Sequence, residues 1–251
     1  MDIRIKAINK LIALLGLKKE DFISFWQREL EEKKQSNQKE NEKLPRFWYQ
    51  MQVPDIRAHV KLFDYAFEGG KFSSNPKEYP NCQGVVGYIN PYADASEGNK
   101  ILVVLPEQAL CSFAETTCEV NTHIQEITSG KEATLKLLQY GKKYGMRFEA
   151  AEYTNNYSKN GVKSGEAFLP SIAELDAVCE NADGVREALR KIGGTFEGSL
   201  WSSTEATILG SEPWVSYADK DKACCINNRY TRTRSEAPKM YKKMVSCFIA
   251  Y

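Results

Sequence analysis

The sequence predicts an α+β domain over residues 46–251, preceded by a helical segment over residues 1–45, and three observations support this fold class. The stretch Phe168–Glu205 contains a capped helix followed by a strand. Two runs before it, GVVGYI and KILVVL, have the composition of buried strands. Three more extended runs follow it. Runs of strands separated from runs of helices are typical of the α+β class.

The helix in the central stretch has clear start and stop signals. Ser171 can cap its first turn, and Glu174 three residues later completes a capping box. Apolar residues then recur at helical spacing and predict a buried face: Ile172, Leu175, Val178 and Cys179. A second periodic run, Val185, Leu189 and Ile192, ends at two glycines that can adopt the left-handed geometry of a helix end.

The sequence LPS-x-x-EL of this helix and the strand WSSTE at 201–205 form a signature. It resembles the signature of bacterial and phage proteins with a C-type-lectin-like fold. The EGGK turn, GVVGYI and KILVVL resemble the opening strands of the same proteins, so the resemblance covers residues 46–251. It implies a short mixed or antiparallel sheet with two flanking helices. We also predict that Trp201 lies in the core with the helix face of Leu175 and Val178. Phe168 stands where relatives commonly carry tryptophan, and it fills a similar volume.

Between the early strands and the signature, the pattern predicts a helix over Lys131–Tyr144. In order along the chain, this helix corresponds to the first of the two flanking helices that the resemblance implies. The stretch Tyr153–Gly165 is rich in Asn, Ser and Gly, and it predicts a surface loop.

The first 43 residues carry two apolar helical stripes, followed by the charged run EEKKQSNQKENEK. Two interpretations have equal support. The stripes pack as a helical hairpin on the main domain, or they serve as an oligomerisation or docking element, because so short a segment cannot bury both faces alone.

Charge and hydropathy exclude several classes of partner. The formal net charge of +1 gives no electrostatic reason to expect nucleic acid or an anionic membrane. No apolar run approaches the roughly 20 residues of a membrane span. The run Leu11–Leu17 is short and is followed by charged residues, so it is a poor signal peptide. We therefore expect a soluble protein, cytoplasmic or virion-associated.

The seven cysteines favour reduced thiols, because the count is odd and no signal peptide is expected. The two histidines do not lie at ligand spacing from a cysteine, so no metal or other cofactor is expected. Asp219 and Asp221 offer oxygen ligands for calcium. The EPN, QPD and WND triplets of calcium-dependent lectins are absent, and a solvated turn with a calcium-free surface is favoured.

The run Ala223–Arg234, ACCINNRYTRTR, predicts a displayed strand, because the side chains of its later half are polar or aromatic on both faces. In the proteins it resembles, this region is the ligand-facing surface, and in the variable proteins among them it is diversified. Aromatic and Arg side chains contribute large contact areas and directed hydrogen bonds. The predicted ligand-binding residues are Trp214, Tyr217, Asp219, Asn227, Asn228, Tyr230, Arg232 and Arg234, with an inward-packed Trp214 as the alternative for that residue.

The function predicted from these patterns is a non-catalytic binding module for a protein or glycan, with a variable protein of a diversity-generating retroelement as the specific hypothesis. One alternative is a thiol-dependent oxidase of the formylglycine-generating kind that uses Cys224, Cys225 or Cys247, with Arg229 or Arg232 lowering a thiol pKa. No histidine or carboxylate accompanies these thiols at a suggestive spacing. The other alternative is a structural domain without a ligand.

Overall fold

The computed structural model describes residues 59–90, 101–123, 129–209, 216–228 and 232–251, with only the backbone described at 208–209 and 216–219. All of these belong to the second of the two units into which the chain divides, residues 56–251. The helical segment predicted over residues 1–45 lies outside the described residues.

Eight strands form one mixed sheet in the order β2-β1-β3-β4-β8-β5-β6-β7. Every pairing is antiparallel except the one between β5 and β8, which are parallel where Leu200 lies opposite Met244. The strands are β1 Tyr65–Phe67, β2 Lys71–Ser73, β3 Cys82–Ile89, β4 Ile101–Ser112, β5 Ser199–Leu209, β6 Ser216–Asn227, β7 Thr233–Pro238 and β8 Lys242–Ala250.

Four helices in the described residues cover the two faces of the sheet: α1 Gly130–Tyr144, α2 Glu149–Asn155, α3 Ile172–Cys179 and α4 Ala182–Lys191. Successive residues of a strand point to opposite faces. Leu102 and Val104 of β4 accordingly join the core beneath α3 and α4. Val103 and Leu105 join a second core on the opposite face, against which Tyr153 of α2 packs. Burial on both faces explains why the run Ile101–Leu105 is continuously apolar.

The helix termini follow the local sequence. At the start of α3, the Ser171 hydroxyl accepts a hydrogen bond from the Glu174 amide at 3.2 Å, and the Glu174 carboxylate accepts one from the Ser171 amide at 2.8 Å. This confirms the predicted capping box. Helix α1 begins after Ser129 and ends at Gly145, which has φ of 66°. The helix predicted over Lys131–Tyr144 is therefore confirmed to within one residue.

The predicted core of the central stretch is also confirmed. Trp201, Leu175 and Val178 are completely buried. The Trp201 indole N–H donates to the carbonyl of Cys111 at 3.1 Å, so the one polar atom of this side chain has a partner.

The predicted fold class, a short sheet with two flanking helices, is wrong. The described residues contain an eight-stranded sheet and four helices. Helix α2 has seven residues, EAAEYTN, which is too short for helical periodicity to show in the sequence. Its last residues belong to the stretch predicted as a loop. The extended run predicted over Ala223–Arg234 is divided between β6 and β7. None of the helices in the described ranges is both long and apolar enough to cross a membrane.

Candidate ligand-binding face

The buried glutamate of the WSSTE strand holds a neighbouring segment of the chain against the sheet. Glu205 on β5 is fully buried, and its carboxylate accepts the amides of Val120 and Thr122 at 3.1 Å and 2.9 Å. The Lys239 ammonium, also buried, lies 2.6 Å from the same carboxylate and donates to the Cys118 carbonyl at 2.6 Å. A buried charge requires such complete pairing. Glu205 and Lys239 therefore fix the segment 118–122 against the sheet.

Two arginines at the start of β7 share one carboxylate on α3. The Arg232 Nε lies 3.2 Å from Asp176 Oδ1, and the Arg234 Nε donates to Asp176 Oδ2 at 3.0 Å. Arg232 also pairs with Glu180 at 2.8 Å. The two arginine side chains are 39% and 54% exposed, whereas Asp176 is 13% exposed. We call these four side chains, Asp176, Glu180, Arg232 and Arg234, the arginine face.

Arg186 on α4 fixes the end of β6 next to the arginine face. Its guanidinium donates to the Asn228 side-chain oxygen at 2.9 Å and to the Asn228 carbonyl. Its Nε donates to the Phe196 carbonyl at 3.1 Å, and another nitrogen pairs with Asp183. Because most of its donors are used on the backbone and on Asn228, Arg186 holds the chain in place at the end of β6.

Two concave sites adjoin the arginine face. The first, which we call the Phe63 cleft, has a volume of about 370 Å³ and is lined by Phe63, Arg186, Asn228, Arg232 and residues 179–184. The second is a recess of about 270 Å³ between α3 and strands β5 to β7, lined by Ile172, Thr204, Glu205, Thr207, Cys224, Arg234, Ser235 and Glu236. The arginine face therefore contributes one arginine to each concavity.

A third cavity, of about 590 Å³, lies between α2 and the second half of β4. Four of its five charged side chains form ion pairs, Lys159 with Glu107 at 2.6 Å and Arg147 with Glu152 at 3.2 Å, and Glu149 accepts hydrogen bonds from Ser112. None of the residues predicted to bind ligand lines it.

The structure places the predicted ligand-binding residues in different environments. Arg232, Arg234 and Asn227 are exposed. Trp214 and Tyr230 lie outside the described residues, and for Tyr217 and Asp219 only the backbone is described, in β6. Asn228 differs from the expectation of a displayed side chain, because it is 3% exposed and its oxygens accept from Arg186. Its role is structural.

Sequence reasoning missed Phe63, Asp176, Glu180 and Arg186. Asp176 and Glu180 are four residues apart on a helix, and this spacing places them on one face, where they can meet a basic strand. Phe63 gave no signal, because a bulky residue with positive φ is not expected from sequence.

Two of the candidate thiols, those of Cys224 and Cys247, show no sign of activation. Burial raises the pKa of Cys224 to about 12, and the nearby positive charge of Arg234 offsets this only in part. Cys247 is fully buried, and its pKa is also raised by burial. Arg232 binds carboxylates, and Arg229 lies outside the described residues. A raised pKa reduces the thiolate that a thiol-dependent oxidase needs. All seven cysteines are free thiols.

No group of three His, Cys, Asp or Glu side chains within the described ranges is arranged to hold a metal ion. The Asp221 carbonyl accepts the Lys239 amide at 2.8 Å, so the backbone of this predicted turn residue helps to join β6 to the β7–β8 connection.

Comparison with known proteins adds information on the fold. No family model matches the chain, and no curated protein matches it. Among solved structures, the chain is similar to a fimbrial protein from Bacteroides ovatus ATCC 8483, with a TM-score of 0.57 and 16% sequence identity. The match covers 77% of this chain and 49% of that protein, so the chain spans about half of its length. At this identity the similarity concerns the fold alone, and it supports the correction of the predicted fold class.

Proposed function

We propose that this chain is a non-catalytic ligand-binding module whose binding face consists of the arginine face and the Phe63 cleft. The observation that carries the proposal is the shared carboxylate of Asp176, which holds Arg232 and Arg234 in place while both guanidinium groups stay accessible. Ordering side chains before a ligand arrives reduces the entropy cost of binding. Arginine is also among the residues that dominate binding energetics at interfaces.

The charge balance of the face favours a polar ligand over a highly charged one. Two arginines are matched by Asp176 and Glu180, so the four side chains carry no net charge. A ligand with both hydrogen-bond donors and acceptors can pair with guanidinium and carboxylate groups at the same time. A polyanion would gain little, because long-range attraction requires a net charge on the site.

Catalysis is not favoured at this face. Cys224 lines the recess beside Arg234, and its thiol is held protonated by burial. Nucleophilic catalysis requires an activated group with an adjacent base. Neither histidine lines either concavity. The proposal therefore assigns binding without turnover.

Assembly through strand addition also lacks support, although the structural neighbour is a fimbrial protein. The described sheet has β2 and β7 at its edges. Strand β2 has three residues, and β7 carries Arg234, Glu236 and Pro238. Short edges, charges and proline are the features by which proteins prevent an added strand. Side-chain recognition at the arginine face is the better-supported mode.

The hypothesis of a diversified variable protein stays a prediction with its own test. An adjacent gene for a reverse transcriptase, with a template repeat that matches the DNA for residues 200–250, would support it. Many side chains in that range are buried, including Leu200, Trp201 and Phe248. The template should therefore differ from the coding sequence at codons for exposed residues such as Asn227, Arg232 and Arg234. Differences at the buried positions would contradict the hypothesis.

The binding proposal is tested by screening the immobilised full chain with a phage-displayed random peptide library and a printed glycan array. We expect binders that are lost in the double variant Arg232→Ala/Arg234→Ala. The matched control is Arg147→Ala/Lys159→Ala, which removes the same charge from the third cavity, between α2 and β4, where both side chains are 61% exposed. The proposal is wrong if neither library yields a binder, or if the binders tolerate loss of both face arginines at an unchanged melting temperature.

A further inference from the structure

Phe63 has a strained backbone that holds its aromatic ring at the cleft. Its φ is 70°, a conformation that is rare for a bulky residue. The surrounding turn enforces it: the Phe63 amide donates to the Val86 carbonyl at 2.9 Å, and the Asp64 carboxylate accepts the Lys61 amide at 2.9 Å. Strain of this kind persists where the neighbouring structure requires it, and it is concentrated at functional sites.

The ring rests against a glycine and remains partly open to solvent. A Cβ placed on Gly184 would lie 2.4 Å from the tip of the ring, so this approach requires glycine. Phe63 is nevertheless 37% exposed. The chain thus accepts an unfavourable backbone conformation to keep an aromatic side chain at the surface, which burial alone does not explain.

Planar polar groups surround the ring. The Glu180 and Asp183 side chains are 59% and 98% exposed, so their carboxylates can accept further hydrogen bonds. Arg232 contributes exposed N–H donors. Asn181, at the start of α4, makes no side-chain capping bond, and it lines the cleft with both an amide donor and a carbonyl acceptor.

The charges that line the cleft cancel, because Glu180 and Asp183 face Arg186 and Arg232. A strongly charged ligand therefore gains no net attraction. The volume of about 370 Å³ is at the small end of the range for small-molecule sites. The ligand that suits an exposed aromatic ring beside such groups is a neutral ring with apolar C–H surface and hydroxyl groups.

We propose that the Phe63 cleft binds a neutral saccharide, with one sugar ring packed against Phe63. The hydroxyl groups of the sugar form hydrogen bonds with Glu180, Asn181, Asp183 and Arg232. The inference rests on the proposed binding function and specifies its ligand class. Arg186 is the positioning residue, since its donors already hold Asn228 and the Phe196 carbonyl.

The test measures saturation-transfer NMR of the full chain with the methyl glycosides of glucose, galactose, mannose and N-acetylglucosamine, and with N-acetylneuraminic acid as a charged comparator. We expect at least one neutral glycoside to bind, and Phe63→Gly to weaken it by about tenfold or more. Glycine suits the positive φ, so this variant removes the ring without straining the turn. Phe63→Tyr keeps the ring and should retain binding. Leu62→Ala is the matched control, since Leu62 has the same 37% exposure next to Phe63.

Each other outcome has a defined meaning. Binding that persists in Phe63→Gly, or a preference for the charged sugar, overturns the inference. If none of the glycosides binds while library peptides bind in a manner that depends on Arg232 and Arg234, the saccharide inference is wrong and the binding function stands. If neither saccharides nor library members bind, both proposals are wrong.

Discussion

Two carboxylates in this protein each hold basic side chains, one inside the sheet and one on its surface. Glu205 and Lys239 are 0% and 1% exposed, and their partners are backbone groups of residues 118–122. Asp176 instead holds two arginines that remain 39% and 54% exposed. The first arrangement positions the backbone, and the second positions side chains that a ligand can reach. The exposure of the cationic side chain therefore distinguishes the two pairs. A buried cation has a structural role, and an exposed one is available to bind a ligand.

Removing the cation of the buried pair should have the largest effect on stability. Lys239→Met leaves the charge of Glu205 buried without its partner, and we expect a loss of about 3–5 kcal/mol in the free energy of unfolding. Urea denaturation of the full chain measures it. The double variant Glu205→Gln/Lys239→Met, which removes both charges, should recover much of the loss. A loss below about 1 kcal/mol in the single variant would show that the pair is not structural.

Substitution of Trp201, which lies on the same strand as Glu205, tests how much its buried side chain contributes to stability. Trp201→Ala removes a fully buried ring, and we expect it to lower the free energy of unfolding by roughly 3–5 kcal/mol. Thermal or urea unfolding provides the measurement. Tyr144→Ala, at a side chain that is 55% exposed, is a suitable control and should cost far less. Equal effects of the two variants would contradict the observed burial.

The capping box connects the stability of α3 to the arginine face, because α3 carries Asp176. Ser171→Ala should lower the free energy of unfolding by about 1 kcal/mol. Ser171→Thr retains the capping hydroxyl without adding a charge and should restore most of that loss, as measured by chemical denaturation. An Ala variant as stable as the wild type would mean that the cap contributes nothing to the helix.

The thiol beside Arg234 should remain unreactive at neutral pH. Burial raises the pKa of Cys224 to about 12, so the thiolate is scarce at pH 8. We expect labelling of the native protein by a thiol-specific disulfide reagent to be slower than that of free cysteine by about tenfold or more at pH 8. Cys224→Ser identifies the signal of this residue. Rapid labelling of Cys224 would instead favour the thiol-dependent alternative.

The raised pKa of Cys224 also predicts how the stability of the protein changes with pH. Because the folded pKa lies above the value of an unfolded thiol, protonation is favoured in the folded state. The stability that the protonated Cys224 thiol contributes is fully present below the ordinary thiol pKa of 9.0. It is lost as the pH rises towards 12. The urea concentration at the unfolding midpoint should therefore decrease as the pH is raised above 9. The variant Cys224→Ala should show a smaller decrease. An identical pH dependence in the two proteins would contradict the shift.

Local signals were the part of the fold that sequence could predict. The spacing S-x-x-E determines a cap within four residues, and the apolar period identifies the buried face of α3. Helix α1 could likewise be predicted, because its 15 residues are enough to show helical periodicity. The size and order of the sheet could not be predicted in this way. They depend on pairing between residues far apart in the sequence, such as Leu102 with Ala250 and Leu200 with Met244. Short elements such as α2 carry too few residues for a period to appear.

The candidate site could be predicted only in part from the sequence, for a related reason. The polar composition of 227–234 indicated Asn227, Arg232 and Arg234 as displayed residues, and all three are exposed. Composition could not separate Asn228 from its neighbours, because its burial depends on Arg186, 42 residues away. Asp176 becomes part of the site only through the docking of α3 against β7, at a sequence separation of 58 from Arg234.

The most direct test of the central claim compares the stability and the binding of Asp176→Asn. The account predicts a change of less than about 1 kcal/mol in the free energy of unfolding, since the arginines that lose this partner remain accessible to water. It also predicts that the affinity for a library-selected binder of the arginine face falls by about tenfold or more, because Arg234 loses its carboxylate partner and Arg232 keeps that of Glu180 alone. Unchanged affinity in a fully folded Asp176→Asn variant would contradict the claim that Asp176 orders these arginines for recognition.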